Sequence, residues 1–306
     1  NKGFVGAVQN KNNEGTIAFA TTTQDTTLAS VLLGQAADDE LKAVNATVTS
    51  GTATFGGDVF ATTVTTTATD STGSDTIAFG DKVTATTLNL DGAGAFTFAD
   101  TVTAAVVISG DSTSTVAADV IVVGAVSNDG TTGEGTLTFA ASTGDFTLAS
   151  TTIGATGALL KEVNIVSTSG NTLETATLGG NIFATTVNTT STVTAEDAVT
   201  FAGTINGTTI NLLGAGATNF QGDVTAAVVF GAGASTSAVL TVSADKKIVG
   251  AVTTATTDQG TLTFAATTAN TTLASSTIGA TAKLLEVVNV TSTANTATLA
   301  GNVFAT

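Results

Sequence analysis

Residues Thr52–Val64 read TATFGGDVFATTV. The phrase returns as TATLGGNIFATTV at Thr175–Val187 and begins again as TATLAGNVFAT at Thr296–Thr306. Within it, Phe55 and Val59 bracket Gly56, Gly57 and Asp58, and Val64 lies five residues beyond Val59. Gly and Asp form turns, whereas Thr, Val and Phe fit a pleated surface. The phrase therefore predicts a strand, a tight turn and a second strand.

The same spacing of four and then five residues recurs outward from it. Phe79, Val83 and Leu88 follow, then Phe98, Val102 and Val107. The second copy repeats the series as Leu178, Ile182, Val187, then Phe201, Ile205, Ile210, then Phe220, Val224, Val229. Phe55 to Phe79 is 24 residues and Phe79 to Phe98 is 19. A unit this short cannot enclose a core by itself, but stacked copies can. The expected fold is all-β: a parallel β-solenoid of ~19–24-residue coils, with like side chains stacked at the ~4.8 Å strand spacing. The named triplets are its expected core. A row of β-sandwiches of ~120 residues each is the competing solution, but it needs no such short echo.

A longer period encloses the short one. VGAV occurs at Val5–Val8, Val123–Val126 and Val249–Val252, and GTIAFATTTQDTTLAS (Gly15–Ser30) matches Gly135–Ser150 and Gly260–Ser275. The chain is thus expected to hold repeat 1 at 1–122, repeat 2 at 123–248 and part of repeat 3 at 249–306, in one continuous solenoid. The third copy stops in mid-phrase, as expected of a segment of something longer. The apparent exception to strand patterning is ADDELKAV (Ala37–Val44), with counterparts at Leu159–Val163 and Leu284–Val288. A single helical turn would fit there, but β-branched residues follow in each copy and favour an extended corner.

Composition agrees. Thr is the commonest residue, about 70 of 306, and every aromatic is Phe. Arg, His, Pro, Cys, Met, Trp and Tyr are missing. Pro-free strands suit central ladder positions that need their N–H. The net charge of −16 argues against nucleic acid and anionic membrane partners. No apolar run reaches the ~18 residues of a transmembrane helix, so a membrane-spanning role is not expected. Without Cys there is no disulfide framework or thiolate metal site.

The chemistry on offer is thin. Glycoside hydrolysis needs two placed carboxylates, and the densest acidic site is Asp38-Asp39-Glu40, whose counterparts lack them. No enzyme activity is expected. Asp58, Asp81, Asp100 and Asp223 follow the first strand of a coil, and oxygen-rich turns can hold Ca²⁺. Asn181, Thr204 and Asn302 occupy the same slot elsewhere, so turn formation is the simpler reading. No cofactor is expected, with Ca²⁺ the one metal such turns could take.

The phrases GTLTFAA, FTLASTTIGATGALLKEVNIVS and TATLGGNIFATTV, running on through FAGTINGTTINLLGAGATNFQGDVTAAVV, resemble passenger regions of large bacterial surface autotransporters, with the flavour of rickettsial-type outer-membrane surface antigens. That resemblance implies a β-helical passenger, display on the outer cell surface, and a role in adhesion or a coat. The Cys-free, acidic, Thr-, Ala-, Gly- and Val-rich composition is also similar to that of bacterial surface-layer proteins. The expected function is a structural module of an extracellular surface fibre or adhesin, partnered by copies of itself or flanking repeats. A surface-layer lattice protein assembled with Ca²⁺ is the alternative, and a carbohydrate-binding or glycan-active β-helix the second.

Overall fold

In the computed structural model the strands run parallel and stack as a β-solenoid of about ten turns, with no helix among the described residues. The structure describes residues 6–9, 14–22, 25–28, 32–35, 39–70, 74–118, 120–141, 146–148, 151–167, 175–191, 198–231, 238–267, 269–273, 277–293 and 295–306. Two compact units arise: 1–139 with 151–161, and 140–150 with 162–306.

The first unit contains β1 (Thr16–Thr21), β2 (Thr26–Leu28), β3 (Leu41–Val48), β4 (Thr52–Phe55), β5 (Val59–Ala68), β6 (Thr76–Phe79), β7 (Val83–Gly92), β8 (Ala95–Phe98), β9 (Val102–Ile108), β10 (Thr113–Val116), β11 (Val122–Val123), β12 (Val126–Asn128) and β13 (Glu134–Ala141). Short strands stack in the order β2-β4-β6-β8-β10-β13, and long strands in the order β1-β3-β5-β7-β9-β11, with β12 also on β9. Every one of these pairings is parallel.

Alternation explains why these stretches are strands and which way they face. Along β4, β6 and β8 the second and fourth residues are buried and the others half-exposed. The long strand bends. In β5 the buried residues are Val59, Ala61, Val64, Thr66 and Ala68, and the three-residue step from Ala61 to Val64 marks the bend. Each coil thus has three walls: the short strand and the two limbs of the long one.

Register turns sequence echo into columns of like residues. On the short-strand wall Leu28, Phe55, Phe79, Phe98, Val116 and Phe139 stand above one another. The rings of Phe55 and Phe79 stack with centroids 5.0 Å apart, and those of Phe79 and Phe98 at 5.3 Å. Val59, Val83, Val102 and Val122 form the first-limb column. Val44, Val64, Leu88, Val106 and Val126 form the second. Each buried Phe contributes about 1.5–3 kcal/mol by leaving water, and ring stacking adds about 0.5–1.5 kcal/mol.

The second unit is built the same way, from β14 (Phe146–Leu148), β15 (Leu160–Ser167), β16 (Thr175–Leu178), β17 (Ile182–Ser191), β18 (Ala198–Phe201), β19 (Ile205–Gly214), β20 (Ala217–Phe220), β21 (Val224–Phe230), β22 (Val239–Val242), β23 (Ile248–Val249), β24 (Val252–Thr254), β25 (Thr261–Ala266), β26 (Thr271–Leu273), β27 (Val287–Ser292) and β28 (Ala297–Leu299). Leu178, Phe201, Phe220, Val242 and Phe264 form its short-strand column. Ile182, Ile205, Val224 and Ile248 form the first limb, and Val187, Ile210, Val228 and Val252 the second.

Two expected core residues are corrected. Val107 and Val229 point outward and are half-exposed. β9 and β21 have one residue fewer at the bend than the strands beneath them, where the register shifts between Thr84 and Thr87 and between Asn206 and Thr209. A one-residue slip in a strand moves every later side chain to the other face. Val106 therefore stacks on Leu88, and Val228 on Ile210. The other sixteen named positions are buried.

The stretch after Leu33 is no corner. Leu33 bridges Val59 and Leu41 pairs with Ala61, so residues 34–40 loop out where the next coil has Phe60 alone. An antiparallel bridge, Gln35 to Asp39, closes the neck of the excursion. In the second unit Ile278 bridges Val303 and Leu285 bridges Ala305, looping out 279–284, with Ala280 and Lys283 at the neck. Gly34 and Gly279 open these excursions with φ of 78° and 70°, and a Cβ on either would fall 2.2 or 2.1 Å from the carbonyl oxygen of Phe60 or Phe304. Only Gly fits there.

The ~120-residue repeat does not return to its starting wall. β25 is the repeat equivalent of β1, and β1 pairs with the second-limb strand β3. Yet β25 stacks on the short strand β22, and Ile278, the equivalent of first-limb Leu33, stacks on second-limb Val252. Within the first unit, β13 likewise stacks on β10 and Ile153 on Val126. Each repeat advances by one wall, a third of a turn.

Phe79→Ala empties the middle of the aromatic stack. It is expected to cost about 3–5 kcal/mol, against less than about 0.5 kcal/mol for Val107→Thr on the outer face. Urea unfolding followed by circular dichroism, with both variants measured alongside the parent, checks the contrast.

Candidate functional site

The turn between the short and long strands is where sequence placed the acidic candidates. Asp58, Asp81, Asp100 and Asp223 all lie there, half-exposed. The structure does not bring them together. Asp58 Oδ1 accepts a hydrogen bond from the Lys82 N–H of the next coil at 3.2 Å, and Asp223 Oδ1 accepts one from the Lys247 N–H at 3.2 Å. Asn181 Oδ1 does the same for the Thr204 N–H at 2.9 Å. Asp100 Oδ1 accepts from the neighbouring Thr101 N–H at 2.5 Å.

This explains why Asp and Asn interchange in the slot. What the turn needs is a side-chain oxygen that reaches an amide otherwise left without an acceptor, and either residue supplies it. Asp25 and Asn270 repeat the arrangement elsewhere, accepting from Thr52 and Thr296 at 2.8 and 2.7 Å. The slot is a hydrogen-bonded rung between coils, and among the described residues no three acidic side chains converge as a metal cluster.

The acidic triplet fares similarly. Asp38 lies outside the described residues, and Asp39 and Glu40 are half-exposed at the neck of the first excursion. Asp39 contributes its backbone carbonyl there, accepting from the Gln35 N–H at 3.1 Å.

An amide ladder in the second unit escaped the sequence reading. Asn211 Nδ2 donates to Asn188 Oδ1 at 2.8 Å, and Asn188 Nδ2 donates to Asn164 Oδ1 at 2.8 Å and to Glu162 Oε1 at 2.6 Å. The signal was present: an Asn at the same place in every repeat, as Asn45, Asn164 and Asn289. Its alternation marks it as outward-facing, and only the register places it under another Asn.

The two best-formed cavities lie inside the units. One is lined by Leu90, Phe98, Val106, Ile108, Ser114 and Leu137, the other by Thr189, Ser191, Leu212, Thr218 and Phe230. Each has room for about one water molecule, far below the size of a ligand pocket. The first has a cause: Ser114 and Val116 stand where Phe96 and Phe98 stand one coil earlier. No helix of the described residues is long and apolar enough to cross a membrane. No known protein family, curated protein or solved structure matches the chain.

Because the turn slot requires an acceptor and not a charge, Asp58→Asn is expected to melt within about 1 °C of the parent, whereas Asp58→Ala costs about 0.5–1 kcal/mol. Thermal melts read by circular dichroism separate the two; equal losses would make the charge itself the stabilising element.

Proposed function

We propose that this chain is a structural repeat module of an extracellular bacterial surface fibre or adhesin, a rod-like scaffold that does its work by stacking and catalyses nothing. The observation that supports this reading is the in-register parallel ladder, which gives each unit columns of like apolar residues along its axis. Such ladders stabilise additively and can be lengthened without a new fold. Their outer faces carry hydroxyls and amides in place of a convergent site. Thr54, Thr97, Thr115 and Thr138 lie along one outer column, interrupted by Ala78.

The net charge of −16 fits the same role, since like-charged surfaces keep a secreted scaffold dispersed. Resemblance to autotransporter passengers supplies the cell-surface location.

Electron cryomicroscopy of the native particle, with fibre diffraction on aligned material, tests the proposal. A thin rod or filament with a ~4.8 Å repeat along its long axis is expected. A string of separate globules about 40 Å apart would refute it, and a two-dimensional sheet that dissolves in chelator would replace the fibre with a surface-layer lattice.

A further inference from the structure

We propose that the connection from β5 to β6 in the first unit is a calcium site centred on Asp75 and Asp70. Asp75 directly precedes β6 and is fully buried, at 0% exposure. Its Oδ2 accepts hydrogen bonds from Thr69 Oγ1 at 3.2 Å and from the Asp70 N–H at 2.9 Å. Its Oδ1 is shielded from solvent and has no hydrogen-bond partner. A buried carboxylate oxygen without a donor or a counter-charge is costly, and a bound cation is one way to remove the cost.

The surroundings supply the rest of an oxygen set. Asp70 is half-exposed and lies at the other end of the same short connection, and Ser74 Oγ donates a close hydrogen bond to its Oδ2. Two carboxylates and the hydroxyls of Thr69 and Ser74 therefore gather within one turn. The two ion pairs of the described residues, Lys161 with Asp111 and Lys247 with Asp223, lie elsewhere.

The donor chemistry selects the ion. All these donors are oxygen, which disfavours zinc and copper. The irregular arrangement suits Ca²⁺, with its six to eight flexible ligands, better than strictly octahedral Mg²⁺. Asp75 Oδ1 would be the inner ligand and Asp70 the outer one, with water completing the shell. Only two carboxylates contribute, so the affinity belongs with extracellular modules, at a Kd of about 0.1–1 mM. The slot is not general to the coil: Gly94 and Ser112 occupy it in the next two. It recurs in the sequence of the second repeat as Asp197, before Ala198–Phe201.

The site is independent of the proposed scaffold role, and its test does not depend on assembly. The chain, freed of metal, is titrated with CaCl₂ by isothermal calorimetry and melted with and without about 5 mM CaCl₂, with MgCl₂ as the comparison. The parent is expected to bind Ca²⁺ in that range and to melt higher with it. Asp75→Asn is expected to bind one Ca²⁺ fewer per chain, and Asp70→Asn to bind at that site at least about fivefold more weakly. Asp81→Asn, in the turn slot, should match the parent. No heat and no rise in melting temperature up to about 10 mM CaCl₂ would overturn the proposal. So would calcium binding that is unchanged in both loop variants, or lost in Asp81→Asn. Should Asp75→Asn fail to fold, Asp70→Asn decides alone, since its side chain is half-exposed.

Discussion

Parallel pairing in constant register is the constraint on which this structure depends. Once the N–H and C=O groups of one coil bond to the next, each side chain lies about 4.8 Å from its counterpart above and below. A residue can then be judged only together with its column. Phe55, Phe79 and Phe98 succeed because each offers a flat ring to the next, whereas a lone Phe would have to be accommodated by residues of other shapes. Polar columns follow the same rule, as the Asn164–Asn188–Asn211 ladder does with amides.

The restricted alphabet follows from that rule. A column tolerates only residues that pack against themselves, and β-branched Val, Ile and Thr do so at little cost in side-chain freedom. Pro would remove a ladder N–H, and none occurs. Where a column is broken, the packing records it. Ser114 and Val116 interrupt the aromatic wall, a water-sized void opens beside them, and Ser114 Oγ is buried without a partner.

Much of this was legible in the chain. The spacing of Phe, Val and Leu revealed the short period, and sixteen of the eighteen expected core positions are buried. Val107 and Val229 were misplaced because periodic counting assumes a constant strand length, and β9 and β21 each drop a residue at the bend. The looped-out residues after Leu33 and Ile278 read as a corner because their Leu and Val continue the strand pattern on the far side. The acidic turn slot was visible, but its partner, a backbone amide one coil away, has no side-chain signature. Asp75 drew no notice because its significance lies in burial, which one acidic residue in a polar run does not announce.

The advance by one wall per repeat bears on how such a gene can change. Tandem repeats this similar invite unequal crossing-over, which inserts or deletes whole copies. If every copy closed on a whole number of turns, such an event would alter length alone. Here β25 takes over the wall of β22, so the loss of one copy would also swing everything downstream by a third of a turn. Excursions that had faced one side would then face another. Only changes of three copies at a time would preserve both the winding and the direction of display. Recombination in an array of these repeats is therefore a source of new surface presentations as well as new lengths.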